Sequence, residues 1–299
     1  MRSETRWAYV FVLPWLIGLA LFQLGPMLAS LGLSFTEYDL ISSPEFAGTA
    51  NYARMAQDPK VAVAIGNTVL YTALHVPLAI VLALGLALML NRVGGRGAGV
   101  FRTIFYLPSM TPYVAVGVLF LFLLNGQAGM VNQFLGLFGI DGPQWTTDPD
   151  WILPGIVLMS LWNLGSTTII LFAALRNVPA ELAEAAMIDG AGTWARFRRI
   201  TLPMISPALF FVVIINTIAS LQMFDQVYAM FFGNQATQQA SGDSALFYVV
   251  YLFQQAFQFL HMGYASALAW VLFLVIALIT LVQWKVGGRL VHYEAGDRA

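Results

Sequence analysis

The chain has 299 residues, of which 59% are hydrophobic and only 10% charged, where soluble domains carry about 45–50% apolar and about 25% charged residues. One water-soluble core cannot hide that much apolar surface, and the net charge of -1 leaves no basic field to hold nucleic acid. With no cysteine, disulfides, thiolate nucleophiles and cysteine metal sites are excluded as well, and the composition is that of a membrane protein.

A helix crossing the hydrocarbon layer needs about 20 mostly apolar residues. Six charge-free stretches meet that need, and the predicted spans run from Trp7 to Leu33, Ile65 to Leu90, Ile104 to Leu124, Trp151 to Leu175, Leu202 to Leu221 and Tyr264 to Trp284. The first is too long for the h-region of a signal peptide and lacks a small-residue cleavage site, so it is expected to stay in the mature chain. Between the fifth and sixth spans, Leu246 to Phe259 is interrupted by Gln254, Gln255 and Gln258 and reads as an aromatic interfacial helix. The spans lack the alternation that a barrel lumen requires. The expected fold class is an all-α integral membrane protein with six transmembrane helices, in a single transmembrane domain over residues 1–299.

Cations beside the spans mark the cytoplasmic side. Twelve of the fourteen Lys and Arg residues fall on one side of a six-span topology, and only Arg54 and Lys60 lie opposite, among the acidic Glu37, Asp39, Glu45, Asp58, Asp141, Asp148 and Asp150. Both termini are thus expected in the cytoplasm.

Several chemistries are missing. A P-loop ends in Gly-Lys-Ser/Thr, but Lys60 and Lys285 are each followed by Val. His75, His261 and His292 are far apart without H-E-x-x-H spacing, and Ser166 lacks the G-x-S-x-G elbow. No enzyme activity, metal or bound cofactor is expected in this chain. The predicted spans hold no Asp, Glu, Lys or Arg, the groups that commonly couple ion gradients to transport. The energy source is therefore expected elsewhere, and an autonomous ion-coupled secondary transporter built on carbonyls and hydroxyls stands as the alternative, with a purely structural membrane subunit third.

The longest inner loop, about residues 176–203, reads as two short helices. Pro179 suits a first helical turn, Glu181 and Glu184 suit the positive end of the dipole, and Asp189 and Gly190 stop the helix. Thr193 is the expected N-cap of a second helix from Trp194 to Ile200, and Pro203 leads into the fifth span. Small apolar Ala185, Ala186, Ile188 and Ala191 suit equally a knob that docks in another protein and a loop lying on lipid.

From Glu184 to Pro203 the loop matches E-A-A-x-x-D-G-A-x-x-x-x-x-F-x-x-I-x-L-P through Glu184, Ala185, Ala186, Asp189, Gly190, Ala191, Phe197, Ile200, Leu202 and Pro203. In this it resembles the permease subunits of binding-protein-dependent ABC importers. The segments RTIFYLPSMTP and MGYASALAW resemble the maltose- and glycerol-phosphate-type sugar permeases in their six-span form, and the likeness covers nearly the whole chain. It implies a type I ABC importer permease fold in a bacterial cytoplasmic membrane. The loop would then be a coupling helix seated in a cytoplasmic ATPase, with Glu184 meeting a cation there and Leu202 and Pro203 stiffening the attachment. Implied partners are a second, different permease subunit, two ATPase subunits carrying the ATP and magnesium, an extracytoplasmic solute-binding protein and a carbohydrate.

Polar groups at bilayer depth face a bundle interior or an aqueous cavity. Asn163 and Ser166 in the fourth span, and Asn216 and Ser220 in the fifth, are spaced to share a helix face. With Trp162 and Met223 they are the substrate-pathway candidates: amides and hydroxyls for sugar hydroxyls, an aromatic ring for the apolar sugar face. Thr111 and Tyr113 are weaker candidates. Interhelical hydrogen bonds explain each residue singly almost as well. Tyr38, Trp145 and Tyr248 are candidates to receive the binding protein, a role aromatic belts would also account for.

Overall fold

The computed structural model describes residues 2–93, 95–233 and 235–288; Arg289, His292 and Arg298 lie outside them. The described chain is helical apart from one two-stranded hairpin, and it divides into two compact units, residues 1–61 with 251–275 and residues 62–250 with 276–299. Four helices are long and apolar enough to cross a bilayer: Tyr9–Leu33, Pro59–Val93, Ser206–Phe232 and Met262–Gly288. Two bent pairs bring the number to six, Gly99–Met110 with Tyr113–Leu123 and Pro149–Asn163 with Gly165–Arg176.

Neither the third nor the fourth span is one continuous helix. The third turns through 95°. Its cause is local: Leu107–Met110 tightens to a 3-10 turn around Pro108, and Thr111, held extended at φ -74 and ψ 130 by the ring of Pro112, cannot continue the helix. The fourth bends by 51° after Asn163. There Gly165 lies against the carbonyl oxygen of Phe105, which an added Cβ would meet at 2.3 Å, so the close approach of the two chains needs glycine. The fifth span is also broken. Regular helix runs over Ser206–Leu221, breaks at Phe224 (φ -142, ψ -68), and resumes from Asp225 into π-helical Tyr228–Phe232. The span therefore carries Asp225, although no Asp, Glu, Lys or Arg was expected in any span.

In the larger unit a buried cluster joins three of these helices. Ala83, Ala87 and Leu90 of the second span meet Leu171, Phe172 and Leu175 of the fourth and Ile205 and Val212 at the fifth. The alanines recur every four residues on one helical face and let the neighbouring helix approach. The Arg102 guanidinium lies 4.7 Å from the Phe172 ring centre, a cation–π contact that shields the end of this cluster.

In the smaller unit the first span ends at the hairpin, where Thr36 pairs with Phe46 and Glu37 with Glu45. Asn51 pins it by donating to the carbonyls of Ser34 (3.0 Å) and Thr36 (2.8 Å). At the tip Asp39 accepts from the amides of Ile41 and Ser42 and from the Ser42 hydroxyl. The Ser42 bonds above all hold its carboxyl down at about 2. Asp58 accepts from the hydroxyls of Tyr251 and Tyr264. The helix expected over Leu246 to Phe259 is present as Tyr248–Phe253 continuing in a π-helical turn, but Gln254 and Gln255 are buried rather than wetted.

Candidate functional site

A cavity of about 280 Å³ opens in the larger unit between the second, fourth and fifth spans and the start of the helix at Tyr113. Of the pathway candidates, Asn163, Ser166, Asn216, Ser220 and Met223 line it, and so does Tyr113. Trp162 does not. Its ring meets Phe120 edge-on at 5.9 Å and is otherwise partly exposed. Asn163 and Ser166 reach the cavity across the bend and not along one continuous helix face, whereas Asn216 and Ser220 do share a face of the regular helix.

The walls are tied by side-chain hydrogen bonds. Asn216 donates through Nδ2 to the Val212 carbonyl at 2.8 Å and to Thr167 Oγ1 at 3.2 Å, linking the fifth span to the fourth. Asn163 Nδ2 donates to the Tyr113 hydroxyl at 3.1 Å, which leaves its buried Oδ1 with no partner. An unsatisfied amide oxygen of this kind costs roughly 1–3 kcal/mol unless something donates to it.

Seven polar lining residues were not among the sequence candidates: Tyr71, His75, Ser160, Thr167, Gln222, Asp225 and Gln226. Tyr71 and His75 are a helical turn apart in the second span, stacked at 5.1 Å with their planes within 7°. Tyr71 donates to Ser160 Oγ at 2.8 Å, and His75 Nδ1 is hydrogen-bonded to Ser220 Oγ at 3.1 Å. The available signal was their i, i+4 spacing in a mostly apolar helix. Asp225 escaped notice because it falls just past the predicted end of the fifth span, and the break at Phe224 turns it into the cavity lining.

The loop stands away from the cavity. Its first helix is Ala180–Ile188, with Pro179 at the N-cap, one place before the expected first turn. Asp189 is the C-cap, and Gly190 at φ +81 lets the chain reverse, with the Ala191 amide bonded to the Ala186 carbonyl at 2.8 Å. Gly192 and not Thr193 caps the second helix, which is Thr193–Arg196 followed by π-helical Phe197–Thr201 and then Leu202–Met204. Glu184, Ala185, Asp189 and Gly190 are exposed. Ile188 at 88% and Trp194 at 70% exposure are bare apolar groups on the same loop, the property by which surfaces that meet another protein or lipid are recognised. Both ends of the loop are anchored, since Val178 packs on the buried cluster and Ile205 is part of it.

A second cavity, of about 570 Å³, lies in the smaller unit beside the hairpin, with Glu37, Tyr38, Asp39, Glu45, Arg54 and His261 among its walls. Arg54 stacks on the Tyr264 ring at 4.2 Å. Trp145, partly exposed, donates to Asn132 Oδ1 at 2.8 Å, whereas Tyr248 is 4% exposed and belongs to no outer surface of this chain.

Apolar spans around a polar cavity, with a bare, anchored loop, define a membrane permease. Residues 76–286 match the family of binding-protein-dependent transport system inner membrane components. The chain is 38% identical to the probable ABC transporter permease protein YesP of Bacillus subtilis, over 99% of this chain and 95% of that protein. It is 36% identical to the lactose transport system permease protein LacF of Rhizobium radiobacter, over 92% of each. Among solved structures it resembles a bacterial ABC transporter involved in the import of the acidic polysaccharide alginate, with a TM-score of 0.83 at 26% identity, covering 97% of this chain and 98% of that one. The chain belongs to the binding-protein-dependent transport system inner membrane component family, with the type I ABC importer permease fold.

Proposed function

We propose that this chain is one half of the transmembrane pathway of an ATP-driven sugar importer, and that it couples its cavity to a cytoplasmic ATPase through the loop of residues 176–203. The observation that carries the reading is the continuity of packing between loop and cavity. Ile205, two residues beyond Pro203, and Val212, a wall of the cavity, belong to one buried cluster. Cores packed at near-crystalline density transmit displacement rather than absorb it, so a push on the loop reaches the cavity wall.

The lining of amides, hydroxyls and phenol suits a polyhydroxylated ligand, whose hydroxyls both donate and accept. Relatives carry names of lactose and arabinooligosaccharide transport systems, which supports a saccharide. The alginate importer was solved with a pentasaccharide-bound periplasmic protein, which supports a solute-binding partner here; by the same analogy a second permease subunit closes the pathway. The Arg-rich loops and both termini are assigned to the cytoplasm by the positive-inside rule. ATP and magnesium are assigned to the partner ATPase.

Uptake of radiolabelled lactose and arabinotriose into cells expressing the full importer tests the reading. Depleting ATP is expected to stop uptake, while collapsing proton and sodium gradients at constant ATP leaves it intact. Uptake that follows the gradients and ignores ATP would replace this reading with the secondary transporter.

A further inference from the structure

Resting on the reading of the cavity as the sugar pathway, we propose that Asp225 is its specificity-determining residue and selects uncharged saccharides over uronates and other anionic sugars. An ionisable group within an apolar span is costly to keep there and is retained where it serves a ligand or a relay. Asp225 lies in the candidate span Ser206–Phe232, yet it is exposed to the cavity it lines. The backbone break at Phe224 (φ -142, ψ -68) places it there, at the first turn of the resumed helix.

Asp225 carries the sole formal charge among the described lining residues, with no Lys or Arg to offset it. The other titratable groups of the wall are Tyr71, His75 and Tyr113; the first two hydrogen-bond to Ser160 and Ser220, the Tyr113 hydroxyl accepts from Asn163, and none is bonded to Asp225. A carboxylate accepts two hydroxyl hydrogens at once, the pattern that neighbouring hydroxyls of a sugar ring present, and charge-assisted bonds of this kind are roughly twice as strong as neutral ones. The amides of Gln222, Gln226 and Asn163 in the same lining supply donors as well as acceptors. Against a ligand carboxylate the same charge is repulsive, and no cation in the wall screens it. The structurally similar importer serves an acidic polysaccharide; the charge on the half of the pathway that this chain supplies favours the opposite class.

The test is equilibrium binding of radiolabelled lactose, arabinotriose and trigalacturonate to the purified transporter complex in nanodiscs, without the binding protein that would sort ligands beforehand. Wild type is expected to bind at least one neutral sugar about tenfold or more tightly than trigalacturonate. Asp225→Asn is expected to weaken neutral sugars by about tenfold, the worth of a bond to a charged group, and to bring the two classes together. Asp225→Lys is expected to reverse their order. This change of ratio with side-chain charge is a readout that a merely structural aspartate would not move, and the asparagine variant decides the matter if the lysine variant fails to assemble. Equal binding of trigalacturonate and neutral sugars by wild type, or a ratio indifferent to both substitutions, overturns the assignment. If neutral binding is lost in Asn216→Leu but indifferent to position 225, the pathway stands and the role of Asp225 falls. If no saccharide binds wild type, both fall.

Discussion

Ile205 and Val212, each 1% exposed, pack in one buried cluster, the first as the N-cap of the helix Ser206–Leu221 at the root of the exposed loop and the second within that helix in the wall of the polar cavity. About two helical turns connect the two places.

Truncating that link should uncouple without unfolding. Ile205→Ala removes buried methylenes worth roughly 2–5 kcal/mol. The expected result is an assembled complex whose ATPase turnover persists while sugar uptake falls severalfold; both are read on the same proteoliposomes. Uptake and hydrolysis falling in equal proportion would locate the defect elsewhere.

Gly190 holds φ +81 at the loop reversal, with nothing within 4 Å of where a Cβ would stand. Substitution there meets backbone strain and no clash. Gly190→Ala should cost about 1–2 kcal/mol locally and reduce uptake, while Gly190→Pro should abolish it, with membrane insertion of both unchanged by protease mapping. Normal uptake by the proline variant contradicts the role given to the loop.

Gly165 is the reverse case, its backbone region ordinary but its space filled by the Phe105 carbonyl. Gly165→Ala should force the bent pairs apart and lower stability by roughly 1–3 kcal/mol, seen as a drop in the thermal midpoint of the purified complex. An unchanged midpoint would mean that the two backbones are free to separate.

Acid sensitivity is expected at the junction beside Arg54. Burial pushes the Asp58 carboxyl up, but the hydroxyls of Tyr251 and Tyr264, the Lys60 amide and the Arg54 charge together hold it below its ordinary 3.8. A carboxyl depressed in the folded state contributes stability that is present above 3.8 and is lost as pH falls below it through the folded value. Asp58→Asn should therefore lower the thermal midpoint at pH 6 and lose that difference progressively as the pH is taken below about 4. A difference of the same size at every pH would assign Asp58 to packing.

Much of this was legible in the sequence, for definable reasons. Charge-free runs located the helices because the cost of burying charge in lipid acts on every residue of a span. The ten loop positions were readable because Gly190, Asp189 and the small alanines each answer a local demand of turn or exposure. Bends were less legible. Pro108 and Pro112 marked the third span, but the fourth bends at Gly165 because of Phe105, sixty residues away. Trp162 had the chemistry of a sugar platform and yet packs on Phe120, a choice made by helix rotation. Asp225 was hidden by a boundary: the apolar period ends at Leu221, while the helix resumes at Asp225 after the three non-helical residues Gln222, Met223 and Phe224.

On the proposed function, the loop of residues 176–203 engages a partner ATPase. The most direct measurement is affinity purification of the tagged chain in mild detergent beside a Glu184→Arg, Gly190→Pro double variant, with mass spectrometry of what accompanies each. A P-loop ATPase and a second permease are expected with the wild type, and loss of the ATPase alone with the variant. Recovery of the wild-type chain by itself, still transporting in vesicles without ATP, would contradict the proposed function.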